Sequence, residues 1–259
     1  MEEADMGTYI HFVGAGEDGN RTTIELSRIY NEIRDSLFYE GHNQPQNHFH
    51  IHSYPCTKTT GLDVKGHFII LAGAINDPCW KEARETLHKS NPYLMMTIGA
   101  GYEYPVIPNL SLPFNNECLA FTDRFLVEPV KIAQLVLQIF FIHMPWNICK
   151  MGSIIDYDLS ETKHAFAGKV IKVIKMVSDK EHYRQNFSRF LNENKADLNR
   201  SRRILMSLWG KEKVLSVSKA SELGDEMDFF VRPNIQRMLT LHILLEDCPD
   251  FMAIIFIAF

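Results

Sequence analysis

Residues Ile10 to Asn20 read IHFVGAGEDGN, and no other stretch restricts the fold so strongly. An apolar, β-prone run over Tyr9–Val13 ends in Gly14, Gly16 and Gly19, and an amphipathic segment follows. A strand that feeds a glycine turn and then a helix has the layout of a phosphate cradle. The glycines let the backbone come close, and the helix aims free N–H groups at an anion. Gly14, Gly16, Gly19 and Asn20 are therefore candidate nucleotide-binding residues. The same spacing suits a dinucleotide fingerprint, which wants an acid ~20 residues on, at a strand end. Glu40 stands near that distance, but no strand leading to it is visible. The bland alternative is a tight turn that binds nothing. Glu17 and Asp18 favour it, because carboxylates in the cradle repel a phosphate and compete for its N–H groups.

The rest of the first half alternates. Thr22–Tyr39 has Ile24, Ile29, Ile33 and Leu37 near helical spacing. His48–His52 alternates like a strand, and His67–Gly73 is a continuous apolar run, as in a strand covered on both faces. Asp77-Pro78 opens a helix that runs to Lys89, and Leu94–Ile98 is another buried strand. Strand–helix–strand alternation predicts a parallel α/β sheet. Asn109–Asn116 reads as a loop, and Val130–Trp146 as a long apolar helix ended near Pro145. Its aromatic residues Phe140, Phe141 and Trp146 suit packing against a sheet.

Beyond it, Gly152–Lys163 (GSIIDYDLSETK) reads as a loop with carboxylates at Asp156, Asp158 and Glu161. Thr162–Val177 and Lys180–Ser201 read as helices. Ile204–Leu208, Phe229–Val231, Thr240–Leu245 and Met252–Phe259 read as strands, with a helix around Ser218–Met227. Strands spaced this way predict a second, α+β domain with a mixed sheet. The expected division is residues 1–150, a nucleotide-binding-like α/β domain that includes the central helix, and residues 151–259.

Charge and cysteine use narrow the function classes. The net charge is −5 and the pI about 6.1. With no dominant Lys/Arg block, a nucleic-acid role lacks electrostatic support. The five cysteines are scattered, without CxxC spacing, and read as buried thiols in a reducing compartment. The start, MEEADMG, is acidic and lacks a signal-peptide apolar region. Ile132–Met144 is interrupted by Gln134, Gln138 and His143 and is shorter than the ~20 residues of a membrane span. A cytoplasmic protein without direct membrane contact is expected.

Two further groups carry chemistry. His48, His50 and His52 share one face of a strand, with Cys56 nearby, and such imidazoles can hold a transition metal. A solvent-facing strand edge is the far commoner explanation of such a pattern. Asp158 or Ser160 can cap a helix whose first turn carries Glu161, which needs no partner at all.

Taken in order, these segments resemble the tubulin/FtsZ superfamily. FVGAGEDGNRTTIEL is similar to the first phosphate loop of FtsZ. GSIIDYDLSETK resembles the family's GLINLDFADVK once one insertion is allowed. ILMSLWGKEKVLSVSKASELGD resembles the strand–turn–helix VLVNITGGPDLTLFEVNEA, and FMAIIFIAF the strand that closes the globular core. The resemblance implies a Rossmann-like α/β domain, a long central helix and a smaller α+β domain. It also implies GTP or GDP in the first glycine loop. Asp158 and Glu161 would act on a neighbouring subunit's nucleotide, with Asp158 at the first catalytic aspartate and Glu161 in place of the second.

The departures from the family bear on activity. A second glycine loop, GGGTGTG, is expected after the third strand, but here the chain reads AINDPCWK. Pro78 removes a backbone donor, and Trp80 adds bulk where phosphate is expected. Between Glu40 and Gly66 no third glycine loop is recognisable. The expected function is a non-catalytic, pseudo-GTPase interaction protein. It would associate with itself or an FtsZ-like relative, as a filament cap or regulator in cytoskeletal or cell-division assembly, without a cofactor. A filament-forming GTPase that binds GTP/GDP is the first alternative, and a small-molecule or dinucleotide-binding module the second.

Overall fold

The computed structural model describes residues 10–37, 49–54, 64–100, 115–121, 152–155, 159–244 and 249–259. Contacts divide the chain into two compact units. One takes Met1–His143 with Leu159–Val170, and the other Met144–Asp158 with Ile171–Phe259. The helix expected over Val130–Trp146 lies outside the described residues, as do Asp156 and Asp158.

The first unit is a parallel sheet. Strands β1 (Ile10–Ala15), β2 (Phe49–Tyr54), β3 (Phe68–Ala74), β4 (Leu94–Ala100) and β5 (Glu117–Phe121) run in the order β2-β1-β3-β4-β5. Every neighbouring pair among them is parallel. Helix α1 (Gly16–Leu37) joins β1 to β2, and α2 (Pro78–Lys89) joins β3 to β4. The helices take opposite faces. Gly14 points at Gly19 and Thr23 of α1, whereas Val13, Ala15, Ile69 and Leu71 pack against Cys79, Trp80, Ala83 and Leu87 of α2. The chain leaves β1 toward β2 on one side and leaves β3 toward β4 on the other. The carboxyl ends of β1 and β3 therefore form a topological switch point, where open α/β sheets take their ligands.

Helix α1 begins at Gly16, six residues before the expected start. Its buried face runs through Thr22, Thr23 and Leu26, which leaves Ile24 68% exposed. Helix α2 starts where Asp77-Pro78 predicts. The Asp77 carboxylate accepts from the Cys79 N–H at 2.8 Å, and Pro78 takes the first-turn position that needs no donor. Strand β5 was not legible as a strand. Its buried Glu117 interrupts the apolar pattern but is gripped by Arg84 of α2 at 2.6 and 2.5 Å.

The second unit carries β6 (Gly152–Ile155), β7 (Val170–Ser178), β8 (Arg203–Lys211), β9 (Gln236–Leu244) and β10 (Phe251–Ala258), in the order β7-β10-β8-β9-β6. The sheet is mixed: β8 and β9 are parallel and the other pairs antiparallel. Helices α4 (Tyr183–Glu193), α5 (Lys195–Arg200) and α6 (Val217–Asp228) build its core. Phe187, Leu191, Leu198, Leu223 and Met227 meet Met206, Leu208 and Ile255 there.

Three segments differ from expectation. Gly152–Ile155 is strand β6, not loop, because it pairs with β9. The helix expected over Thr162–Val177 is instead a short helix, α3 (Leu159–Phe166), followed by β7. Gly168, at φ +72°, ends the helix, and the β-branched run after it pairs along its length with β10. Phe229–Val231 is a turn after α6, and Phe229 is 85% exposed.

Candidate functional site

The glycine turn lies at the switch point. Gly14 is the fifth residue of β1, Gly16 opens α1, and Gly19 and Asn20 lie in the first turns of that helix. Two of the glycines have structural reasons. A Cβ on Gly14 would collide with Gly19 O and Thr23 Oγ1, and one on Gly19 would collide with Ala72 O. Both keep α1 pressed onto β1 and β3. Gly16 is different: its φ of +72° turns the chain from strand to helix.

What lies against Gly16 decides the character of the crevice. A Cβ there would collide with the Asp77 carboxylate. Asp77 thus caps α2 through Oδ1 and presents Oδ2 to the start of α1. The N-termini of two helices, each the positive end of a macrodipole, converge on one internal carboxylate. Glu17 points away: it pairs with Arg21 one turn on, and both are exposed. Asp18 lies in the first turn, and its carbonyl accepts from Thr22 Oγ1.

Trp80 is not in the mouth of the crevice. It is 2% exposed, packed in the core under α2, with the Arg84 guanidinium 5.5 Å from its ring centroid. Among the described residues, neither its Nε1 nor the buried Oδ1 of Asn20 has a hydrogen-bond partner. The orphaned Asn20 oxygen belongs to the candidate phosphate loop, and it calls for a donor.

The other expected site residues separate. Glu161 lies in the first turn of α3 and is exposed. Its expected companion Asp158 lies outside the described residues, as does His48. β2 carries His50 and His52, in register with His11 and Val13 of β1. His52 stacks on His11 rather than converging on a common point with other ligands. Among the described residues, no group of three or more His, Cys, Asp or Glu could hold a metal ion. The acid that a dinucleotide site wants at the end of the second strand is not there: β2 closes with Ser53-Tyr54. Cys79 is disulfide-bonded, against the expectation of free thiols. Cys118 is free and buried, and burial, then the neighbouring Glu117, pushes its thiol well above the ordinary range, so it is inert.

Asp77 escaped the sequence reading as a site residue. Asp-Pro before a helix signals a cap, and nothing local says that the same carboxylate reaches Gly16.

No family model matches the sequence, and no curated protein matches it. Solved structures match its fold. An empty FtsZ dimer from M. jannaschii superposes with a TM-score of 0.58 at 14% identity, over 97% of this chain and 88% of that one. CetZ1 from Haloferax volcanii, a GDP-bound monomer, gives 0.57 at 9%, over 96% and 94%. A GTPγS-form protofilament of TubZ from Bacillus thuringiensis serovar israelensis gives 0.55 at 10%, over 97% and 88%. The chain has a tubulin/FtsZ-like fold. Among the described residues, no helix is long and apolar enough to cross a membrane.

Proposed function

We propose that this chain is a tubulin/FtsZ-like subunit that does not hydrolyse nucleotide and works by association, as a cap or regulator of a filament-forming relative. The observation that carries the reading is the Asp77 carboxylate between the N-termini of α1 and α2. Phosphoryl transfer depends on positioning and on neutralising charge. A triphosphate entering here meets a carboxylate where the fold would otherwise offer backbone N–H groups. Asp158, with Glu161 in the first turn of α3, serves as the docking element for a relative's nucleotide face, while the subunit's own face refuses the next subunit. A dimer and protofilaments among the matching structures support association as the mode of action. Rim charges of this kind set specificity and on-rate more than affinity.

Calorimetry with GTP and Mg²⁺ should be flat, and micromolar binding would overturn the reading. Mixed with an FtsZ-type relative, the protein should shorten polymers at substoichiometric ratios. Asp158→Ala with Glu161→Ala should abolish that effect. Long filaments of this chain alone, or shortening that survives the double substitution, would exclude a cap.

A second reading, a filament-forming GTP-binding subunit, is favoured by one atom. The shielded Asn20 Oδ1 wants a donor, which a nucleoside hydroxyl or base N–H supplies. Under that reading GTP binds the native protein, and Asn20→Ala weakens binding at least tenfold. Asp77→Asn separates the two readings. It creates GTP binding if the carboxylate blocks the crevice, and leaves an existing affinity little changed if it does not.

A further inference from the structure

On the sheet face turned away from α4, α5 and α6, Lys175 is the one charged residue that β7 and β10 contribute. Ile174 and Met176 of β7, with Ala253, Ile255 and Ile257 of β10, pack into the core with those helices. Side chains alternate along a strand, so the opposite face takes Val173, Lys175 and Val177 from β7 and Met252, Ile254 and Phe256 from β10. Lys175 is in register with the fully buried Ile254. It stands between Val173, also buried, and Val177, which is 51% exposed, and is itself exposed.

The carboxylates at the ends of these strands are engaged elsewhere. Asp179 accepts from the Glu181 and His182 N–H groups at 2.9 and 2.8 Å and pairs with the His182 ring. Asp250 holds Lys211 at 2.9 Å. Lys172, on the helix side of β7, is held by Asp197 at 2.7 Å. The charges that β8 adds to the Lys175 face are cations at its two ends, Arg203 level with Ala258 and Lys211 beyond Trp209. Among the described residues, no carboxylate pairs with Lys175.

An ammonium placed there loses hydration to its neighbours and gains no counterion in return. Partial burial accordingly lowers the Lys175 pKa from the ordinary lysine value. At neutral pH a larger share of this amine than of a freely solvated one is the unprotonated nucleophile. Beside it, Val177 and the half-buried Met252 are paired in register and form an apolar corner suited to an acyl group. We propose that Lys175 is a modification site that takes an acyl group from an acyl thioester. The neutral Nζ attacks the thioester carbonyl, a C–N bond forms and the C–S bond breaks. The thiolate leaves with the electron pair, and the proton released from nitrogen passes to it through solvent. Nothing is oxidised or reduced. The amide removes the charge of Lys175 and joins Val177 and Met252 in one apolar surface.

A lysine that only lays its stem over apolar side chains, with its head in water, would react like any other. The test treats the native protein with the small thioester S-acetyl-N-acetylcysteamine at about pH 7.5, below the ordinary lysine range, and reads acetylation lysine by lysine by mass spectrometry. Lys175 should react at least about threefold faster than the exposed Lys195 and Lys213. In a pH series its rate should level off at lower pH than theirs. Val177→Glu sets a carboxylate beside the amine, favours the ammonium and should bring Lys175 down to the rate of those two lysines. Val177→Gln adds polarity without charge and should keep most of the difference. The exposure of Val177 lets both variants fold. Equal rates for the three lysines in the native protein would overturn the proposal, and so would a fast Lys175 that Val177→Glu does not slow.

Discussion

Both units bury an ion pair, Arg84–Glu117 in the first and Lys172–Asp197 in the second, but they differ in the other polar groups they bury. The first relies on charge. Glu117, fully shielded on β5, meets Arg84 of α2 through two hydrogen bonds, and the half-buried Asp77 carboxylate sits between two helix N-termini. The second adds to its ion pair a neutral network on one sheet face. Ser207 Oγ accepts from Trp209 Nε1 and from Thr240 Oγ1, each at 2.7 Å, and His242 Nε2 lies 3.1 Å from Thr240 Oγ1. His242 also stacks on Trp209, with centroids 4.2 Å apart. Burial alone pushes the His242 pKa down to about 4, so the ring stays neutral at physiological pH. The lesson is one of failure modes. A charged pair fails when one partner is removed, whereas a neutral network fails when a proton is added.

The largest effect expected is therefore at Glu117. Glu117→Ala removes the carboxylate that Arg84 grips and should cost about 3–5 kcal/mol, read by chemical denaturation. A loss below about 1 kcal/mol would mean that charge is not what the first unit depends on.

Acid should expose the second unit. The folded pKa of His242 is about 4 and the unfolded value ~6.5, so the unfolded chain binds the extra proton between them. Stability is full above about pH 6.5 and falls as pH drops toward 4, by roughly 3 kcal/mol in all. Urea titrations across that window should show the slope, and His242→Gln should flatten it. An unchanged slope in His242→Gln would assign the acid sensitivity elsewhere.

Ser207→Ala sharpens the comparison within the neutral network. It takes away the acceptor shared by Trp209 and Thr240 and should cost about 1–3 kcal/mol, because buried donors are stranded. Asp77→Ala is expected to be milder, about 1 kcal/mol by thermal unfolding, since it removes a helix cap. A rise in stability would mean that repulsion in the crevice outweighs the cap. At the small end, Phe229→Ser should change stability by no more than about 0.5 kcal/mol, for its ring is 85% exposed.

Much of the first unit was legible because its signals are local. Tyr9–Val13 with the glycines marks a strand-to-helix turn, and Asp77-Pro78 marks a helix start at the residue observed. β7 was misread for a definite reason. Val170, Ile171, Val173, Ile174, Met176 and Val177 fit a helical stripe as well as a strand, and periodicity alone cannot separate the two in so short a run. Pairing with β10 decides it. The histidines show the same limit. Reading His48, His50 and His52 along one strand suggests a ligand set, whereas His52 finds its partner in His11 on the neighbouring strand.

The sequence by itself determined the strand–helix alternation from β1 to β4, the glycine turn at the tip of β1, the capped start of α2 and a resemblance sufficient to name the fold. These follow from backbone freedom, capping chemistry and apolar spacing, all set within a few residues. Only the tertiary structure decided that Asp77 meets Gly16, that Glu117 is buried against Arg84, and that His11, His52 and His67 from separate segments lie side by side. Each depends on residues far apart in the chain whose contact is fixed by strand order and register, and no local pattern encodes that distance.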